Sequence, residues 1–330
     1  MFSVLVCQKK VFCHAVRADY TFPNVNNMRL PMNNKSVAHF FIVAMSALSL
    51  IGCSGGGGIG QSFDKIAAYK AVLNHDWEKV EFYLNSGVDP NSTDGNGNTA
   101  LMEASASGAV DAVKMLLESG ANPNAENDDN ATSLMGAASK GRTEVVNVLL
   151  DAGANPNATY KNGYTPLFFA VIHGHKEATK ALLANGANPN AADKIERFVL
   201  GLAATNGHAE IAKLLLDNGA RPNMVDKDGW TALMFAAYHG QGAVAKALLD
   251  NGANPNMAAK DGWTALNIAA NNGQGAVAKV LLECGASPDQ RNNEGINAWH
   301  WANRQPVMNA IFRLHLEEVK AGKVIKPCPH

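Results

Sequence analysis

Between Asp226 and Met257 the polar and apolar residues are ordered so as to fix two short helices and the joints around them. Asp226, Lys227, Asp228 and Gly229 are turn chemistry, with glycine where a positive φ costs little. Thr231 offers a hydroxyl to the free N–H groups of a helix carrying Leu233, Phe235, Ala236 and Ala237, whose small alanines admit a close neighbour. His239 and Gly240 close that helix. A second helix, from about Gly242 to Asn251, puts Val244, Ala247, Leu248 and Leu249 on one apolar face. Gly252 stops it as a left-handed cap, and Pro255 prevents a restart. The predicted unit is a helix, a tight turn, a helix and an extended loop.

The pattern recurs without a slip. Gly87, Gly120, Gly153, Gly186, Gly219, Gly252 and Gly285 lie 33 residues apart, each followed three residues later by a proline, from Pro90 to Pro288. Asparagine or aspartate comes next, from Asn91 to Asp289. A fixed period of this size identifies a repeat array in which each unit packs only on its neighbours. The Asn-Gly pairs at 185, 218 and 251 would signal hairpins elsewhere, but here each lies at a helix end, so the glycine is a cap.

Gly163, Thr165-Pro166-Leu167, Gly174-His175, Leu182-Leu183 and Gly186-Ala187 closely resemble the signature of the ankyrin repeat, with related runs at Thr99-Ala100-Leu101, Thr231-Ala232-Leu233 and Thr264-Ala265-Leu266. The resemblance covers roughly residues 63–320 and implies an all-α solenoid of stacked helix-turn-helix units with hairpin loops. The expected organisation is an N-terminal capping repeat over 63–95, repeats over 96–295, a C-terminal capping repeat over 296–321 and a tail over 322–330. One internal unit departs from the pattern: Phe198-Val199-Leu200-Gly201 replaces the threonine start, losing a capping hydroxyl and placing glycine inside a helix. Each change costs about 1 kcal/mol, so a soft joint is expected near residues 195–206.

The amino terminus follows a different plan. Val37 to Ile51 is an apolar run behind Lys35, too short for a membrane span but suited to the core of a secretory signal. Leu50-Ile51-Gly52-Cys53 resembles a bacterial lipobox, which implies cleavage before Cys53 and lipid on that residue. The expected divisions are therefore a signal peptide over 32–52, a glycine-rich tether over 53–62, and an upstream stretch over 1–31 that reads as a start assigned too early, Met28 or Met32 being better placed. Ser54 after the lipidated cysteine, rather than aspartate, leans toward the outer membrane facing the periplasm. In that oxidising compartment Cys284 and Cys328 could pair or remain as two thiols; spacing alone leaves both open.

Charge narrows the partner. The formal net charge is −1, and without residues 1–52 the chain has 23 Lys and Arg against 28 Asp and Glu. That body lacks the basic footprint of a nucleic-acid binder. Gly55, Gly57 and Gly60 match a dinucleotide-binding spacing only formally, since no βαβ unit surrounds them. His173, His175, His208 and His239 lie near inter-helix turns without a cysteine or carboxylate cluster, and no nucleophile, base and orienting group assemble in the sequence, so neither metal, cofactor nor enzymatic activity is expected.

What varies against the constant core is the inner surface. One column of the repeat reads Asn98, Ala131, Tyr164, Arg197, Trp230, Trp263 and Ile296; another holds Lys161, Lys194, Lys227 and Lys260; a third includes Tyr238. In ankyrin arrays the hairpin tips and first helices form a concave binding face, and Trp, Tyr and Arg are the types enriched at binding hot spots. Tyr164, Arg197, Trp230, Tyr238 and Trp263, edged by those lysines, form the candidate site for an envelope protein partner. By analogy the role is that of a scaffold, protector or inhibitor. Two other readings stand beside it: the aromatics pack on the next hairpin and only stabilise the stack, or they form a strip for peptidoglycan or another glycan.

Overall fold

The computed structural model describes residues 67, 68 and 70–322. Cys53, the signal peptide, the tether and Cys328 lie outside them. The named helices are α1 (Trp77–Asn85), α2 (Ala100–Ser107), α3 (Val110–Glu118), α4 (Ser133–Ser139), α5 (Thr143–Asp151), α6 (Pro166–Ile172), α7 (Lys176–Ala184), α8 (Val199–Asn206), α9 (Ala209–Asp217), α10 (Ala232–His239), α11 (Gly242–Asp250), α12 (Ala265–Asn271), α13 (Gly275–Glu283), α14 (Ala298–Ala302) and α15 (Pro306–Lys320). From α2 onward they alternate between two layers. First helices stack on first helices (α2, α4, α6 and onward), and second helices on second helices (α3, α5, α7 and onward).

The repeated sequence explains the stack. In α10 the faces toward the neighbouring repeats carry Leu233, Ala236 and Ala237, all buried; in α11 the buried set is Val244, Ala245, Leu248 and Leu249. Thr99, Thr132 and Thr231 cap their helices, each hydroxyl accepting the N–H of the residue three positions on at 3.3 to 3.4 Å. Between repeats, the loop of one unit is bolted to the next by an asparagine. Asn157 accepts the N–H of Asn188 at 2.8 Å and donates to the carbonyl of Gly186 at 2.9 Å. Asn91, Asn124, Asn190, Asn223 and Asn256 repeat both bonds, each reaching forward by 31 residues to an N–H and 29 to a glycine carbonyl. An amide presents its acceptor oxygen and its donor nitrogen on two separate atoms of one planar group, which suits asparagine to this pair of bonds.

A second set of ties runs along the inter-helix turns. His175 Nε2 lies 3.1 Å from the carbonyl oxygen of Ser139, and Gln305 Nε2 donates to that of Ala270 at 3.1 Å. These side chains sit over the glycine of the preceding turn, where a β-carbon on Gly141 would come within 2.5 Å of His175 and one on Gly240 within 2.3 Å of Gln274.

The departure at Phe198 has a packed solution. Helix α8 forms without a side-chain cap, and the Phe198 ring turns inward, 2% exposed. A β-carbon on Gly201 would meet that ring at 3.1 Å. Phenylalanine at the N-cap and glycine three residues on, inside the first turn, therefore make a single exchange: the ring takes the space the glycine vacates. Burial of a phenyl group, about 2 kcal/mol, offsets the missing cap and the glycine. The preceding finger is less regular. Glu196 adopts a φ of +65° where Gly97, Gly163, Gly229, Gly262 and Gly295 stand in other fingers. Neighbouring fingers are joined by backbone bonds such as Lys194 N–H to Asn162 and Lys260 N–H to Asp228, both 3.1 Å, but no such bond joins Lys227 to Ile195.

The C-terminal cap departs in length. Helix α15 runs well past its partner α13 and buries Met308 and Phe312 against the last full repeat and α14. Cys284, at the carboxyl end of α13, is 7% exposed and disulfide-bonded.

Candidate partner-binding face

Each finger presents its variable residue just before the first helix, and an acidic or amide side chain holds it there. Asp226 accepts the N–H groups of Asp228 and Trp230 at 2.9 and 2.8 Å, and Asp193 does the same for Ile195 and Arg197 at 3.0 and 2.8 Å. A single antiparallel bridge, Val225 with Thr231 or Ala192 with Phe198, closes the loop behind them. The fingers are thus short, stiff supports for one side chain each.

The aromatic side chains divide into three groups. Tyr164 stacks on Phe168 with centroids 5.2 Å apart and meets Phe169 edge-on at 5.7 Å. The Arg197 guanidinium lies 5.5 Å from the centre of the Tyr164 ring, donates to the Tyr164 hydroxyl, and is fixed by the buried Asp193 carboxylate at 2.7 Å. Trp230 leans on Phe235 at 5.3 Å and meets Tyr238 edge-on at 5.8 Å. Trp263 stacks at 6.0 Å on Trp301 of α14, which also faces Arg304 at 5.5 Å. The structure thus brings Tyr164 to Arg197 and Trp230 to Tyr238, while Trp263 pairs with a residue outside the expected set. Tyr164, Arg197, Trp230 and Trp263 are half-buried, and Tyr238 is 51% exposed.

The floor between these groups is a further column: Glu103, Gly136, Phe169, Leu202, Phe235, Ile268 and Trp301, each the fourth residue of its helix and 33 from the next. The sequence pattern grouped Phe235 with Leu233, Ala236 and Ala237 without separating it from them, whereas Phe169, Leu202, Phe235 and Trp301 are half-buried. The same 33-residue arithmetic that found the finger column would have found this one.

At the tips, Lys161 is tied down by the Asp129 carboxylate at 2.7 Å, which lowers the Asp129 pKa. Lys194, Lys227 and Lys260 are exposed and make no ion pair with a described residue. On the opposite edge His173 and His239 are held below the ordinary histidine value, both chiefly by burial, His173 also by the charges of His175 and Lys140. Acidic groups share the tips, Glu196, Asp228 and Asp261 among them, so the edge is mixed in sign.

An ankyrin-repeat family model matches residues 65–160, 167–259, 200–292 and 248–320, which takes in most of the chain. The chain belongs to the ankyrin-repeat family. No curated protein matches it. Ankyrin arrays as a class are protein-interaction modules. Among the described residues no three His, Cys, Asp or Glu side chains are grouped to hold a metal, and no helix is long and apolar enough to cross a membrane.

Proposed function

We propose that this ankyrin array is a lipid-anchored interaction module of the bacterial envelope, held through Cys53 at the outer membrane facing the periplasm, and that it binds an envelope protein with its concave face. The observation that carries the binding reading is the series of half-buried aromatic and aliphatic side chains between Tyr164 and Trp301, accompanied by the exposed Tyr238 and by three exposed lysines that make no ion pair with a described residue. Rigid aromatic groups that keep part of their surface in water are what a partner can desolvate at low entropic cost. The disulfide at Cys284 fits an oxidising compartment and so supports export. Like most ankyrin arrays it acts by binding, as scaffold, protector or inhibitor.

The test is capture of the native partner from solubilised envelopes by the lipidated protein, followed by titration. Replacing Trp230 and Trp263 with alanine is expected to weaken binding by about 2–4 kcal/mol, with the melting temperature shifting little. Retained binding with a large loss of stability would leave the aromatics a purely structural role. Retention on purified cell wall that is lost with the same two substitutions would move the function to glycan binding.

A further inference from the structure

We propose that the last repeat carries a subsite for a carboxylate, an aspartate or glutamate side chain of the partner, bounded by the Asn292 amide, the Trp301 indole N–H and the Arg304 guanidinium, with Trp263 as its lid. The inference rests on the partner-binding reading and names the chemistry that one end of the face selects.

Two buried donors stand there without an acceptor. Asn292 is 5% exposed, and its Oδ1 holds the finger by accepting the N–H groups of Glu294 and Ile296 at 3.0 and 2.9 Å. Its Nδ2 has no hydrogen-bond partner among the described residues, and neither has the buried Nε1 of Trp301. Other fingers supply what this one lacks. Asp94 and Asp193, at the place of Asn292, accept from the side chains of Asn98 and Arg197 four residues on, at 3.0 and 2.7 Å. Four residues on from Asn292 is the apolar Ile296. Asn127, at the same place, donates to Asn98 of the preceding finger at 2.7 Å. The residue so placed for Asn292 is Trp263, which carries no side-chain oxygen.

Neither donor is required to build a repeat. Asp94, Asp193 and Asp226 fill the place of Asn292 elsewhere and accept the same two backbone N–H groups. Phe169 and Phe235 fill the place of Trp301. The two places are neighbours, since the rings of Tyr160 and Phe169, which occupy them in an earlier repeat, lie 6.0 Å apart. Arg304 joins them by continuing the column of Ile172, Thr205, Tyr238 and Asn271. It is exposed, 5.5 Å from the centre of the Trp301 ring, and in no ion pair with a described residue. Two donors and a cation suit a carboxylate, whose charge strengthens each bond it accepts.

Trp263 stacks on Trp301 at 6.0 Å, and its finger is held differently from those of Trp230 and Arg197. Ala259 replaces the aspartate at the base, so the Trp263 N–H is bonded to Asp261 at 3.1 Å instead. The ring can leave its stack without breaking a bond to the finger base. The carboxylate then takes its place, accepting from Asn292 Nδ2 and Trp301 Nε1 while Arg304 balances the charge.

The probe is a capped tripeptide with a central glutamate between glycines, and its glutamine counterpart is the neutral control. Each is titrated into the isotope-labelled full chain at constant ionic strength and followed at the indole N–H signals, that of Trp301 being identified by its loss in Trp301→Phe. The glutamate peptide should move the Trp301 signal saturably, and the glutamine peptide should need about tenfold more. Asn292→Asp, which keeps the finger bonds and replaces the donor with a charge, should weaken the glutamate peptide at least tenfold with thermal unfolding unchanged. Should that variant not fold, Arg304→Gln at an exposed side chain serves, with a loss of about threefold expected. An unmoved Trp301 signal, equal response to both peptides, or unchanged affinity in the folded variant overturns the subsite. Glucuronate acting at lower concentration than the glutamate peptide overturns its assignment to a protein side chain. The native partner is not used, so capture of a partner without a peptide response rejects the subsite and leaves the binding face standing.

Discussion

The two ends of the face made by the fingers and first helices are built on one backbone and offer different surfaces. From Asn98 to Ser139 the inner positions are Asn98, Glu103, Ala131, Gly136 and Ser139, small or polar and able to stay in water. From Tyr164 to Trp301 the same columns hold mostly Tyr, Phe, Arg, Leu, Trp and Ile, with Thr205 and Asn271 the small polar exceptions. The buried layer scarcely changes between them: Leu134 and Ala137 in α4 correspond to Leu233 and Ala236 in α10, all fully or nearly fully buried. Stability and recognition are therefore carried by separate columns. An array of this kind can alter what it binds without altering what holds it up, and the finger at 193–198, inside the second stretch, is the junction where the repeated core pattern itself changes.

The largest effect is expected at that junction. Phe198→Ala should cost about 3–5 kcal/mol in denaturant unfolding, since it empties space that Gly201 cannot fill. Restoring the ordinary pattern with Phe198→Thr and Gly201→Met together should recover most of the loss, whereas Gly201→Met alone should clash with the ring and destabilise. If the two changes add independently, the exchange is not a coupled one. Next in size is the contrast in binding. The Trp230 and Trp263 substitutions should cost the 2–4 kcal/mol given above, while Asn98→Ala with Glu103→Ala should leave titrated affinity within about threefold. An equal loss from both pairs would erase the distinction between the two stretches.

Asn157→Ala removes two bonds between repeats and leaves the N–H of Asn188 and the carbonyl of Gly186 to water, with an expected cost of about 1–2 kcal/mol by thermal or denaturant unfolding. Smaller and of opposite sign, Glu196→Gly should stabilise by about 1 kcal/mol, because the residue already occupies a left-handed conformation. A strained side chain at a finger tip suggests the residue is kept for contact, so partner affinity should be measured on the same variant.

The smallest effect is that of pH. His173 and His239 have pKa values lowered in the folded chain, both principally by burial, from an ordinary value of 6.5. Below that value the unfolded chain takes up protons that the folded chain resists, so stability should fall as pH drops from 6.5 toward the folded values, and stay level above it. His239→Gln should flatten part of that decline.

The period gave away the layers, the caps and the fingers, because each of those depends on a residue type at a fixed step. What it hid was direction. Phe235 and Leu233 are both apolar on a helix of eight residues that is enclosed on most sides, so helical spacing alone could not separate the inner-face residue from the core one. Nor could spacing show that Arg197 turns back onto Tyr164 rather than toward Trp230, a choice made by the Asp193 carboxylate within the fold. The lesson at Phe198 is different. Two residues that look like separate defects stand at the N-cap and at the third position of one helix, the same two places between which Thr231 and Met234 bond in the regular unit.

The asparagine bonds between repeats give the array a direction of growth. Each asparagine addresses a unit ahead of it and none behind, so the contact is written wholly in the preceding repeat. Any number of units can follow one another by copying a single block, with no matching change elsewhere. The run ends at Asp289, whose carboxylate accepts but cannot donate. Beyond it stand only the departing helices α14 and α15, which close the stack without that pair of bonds.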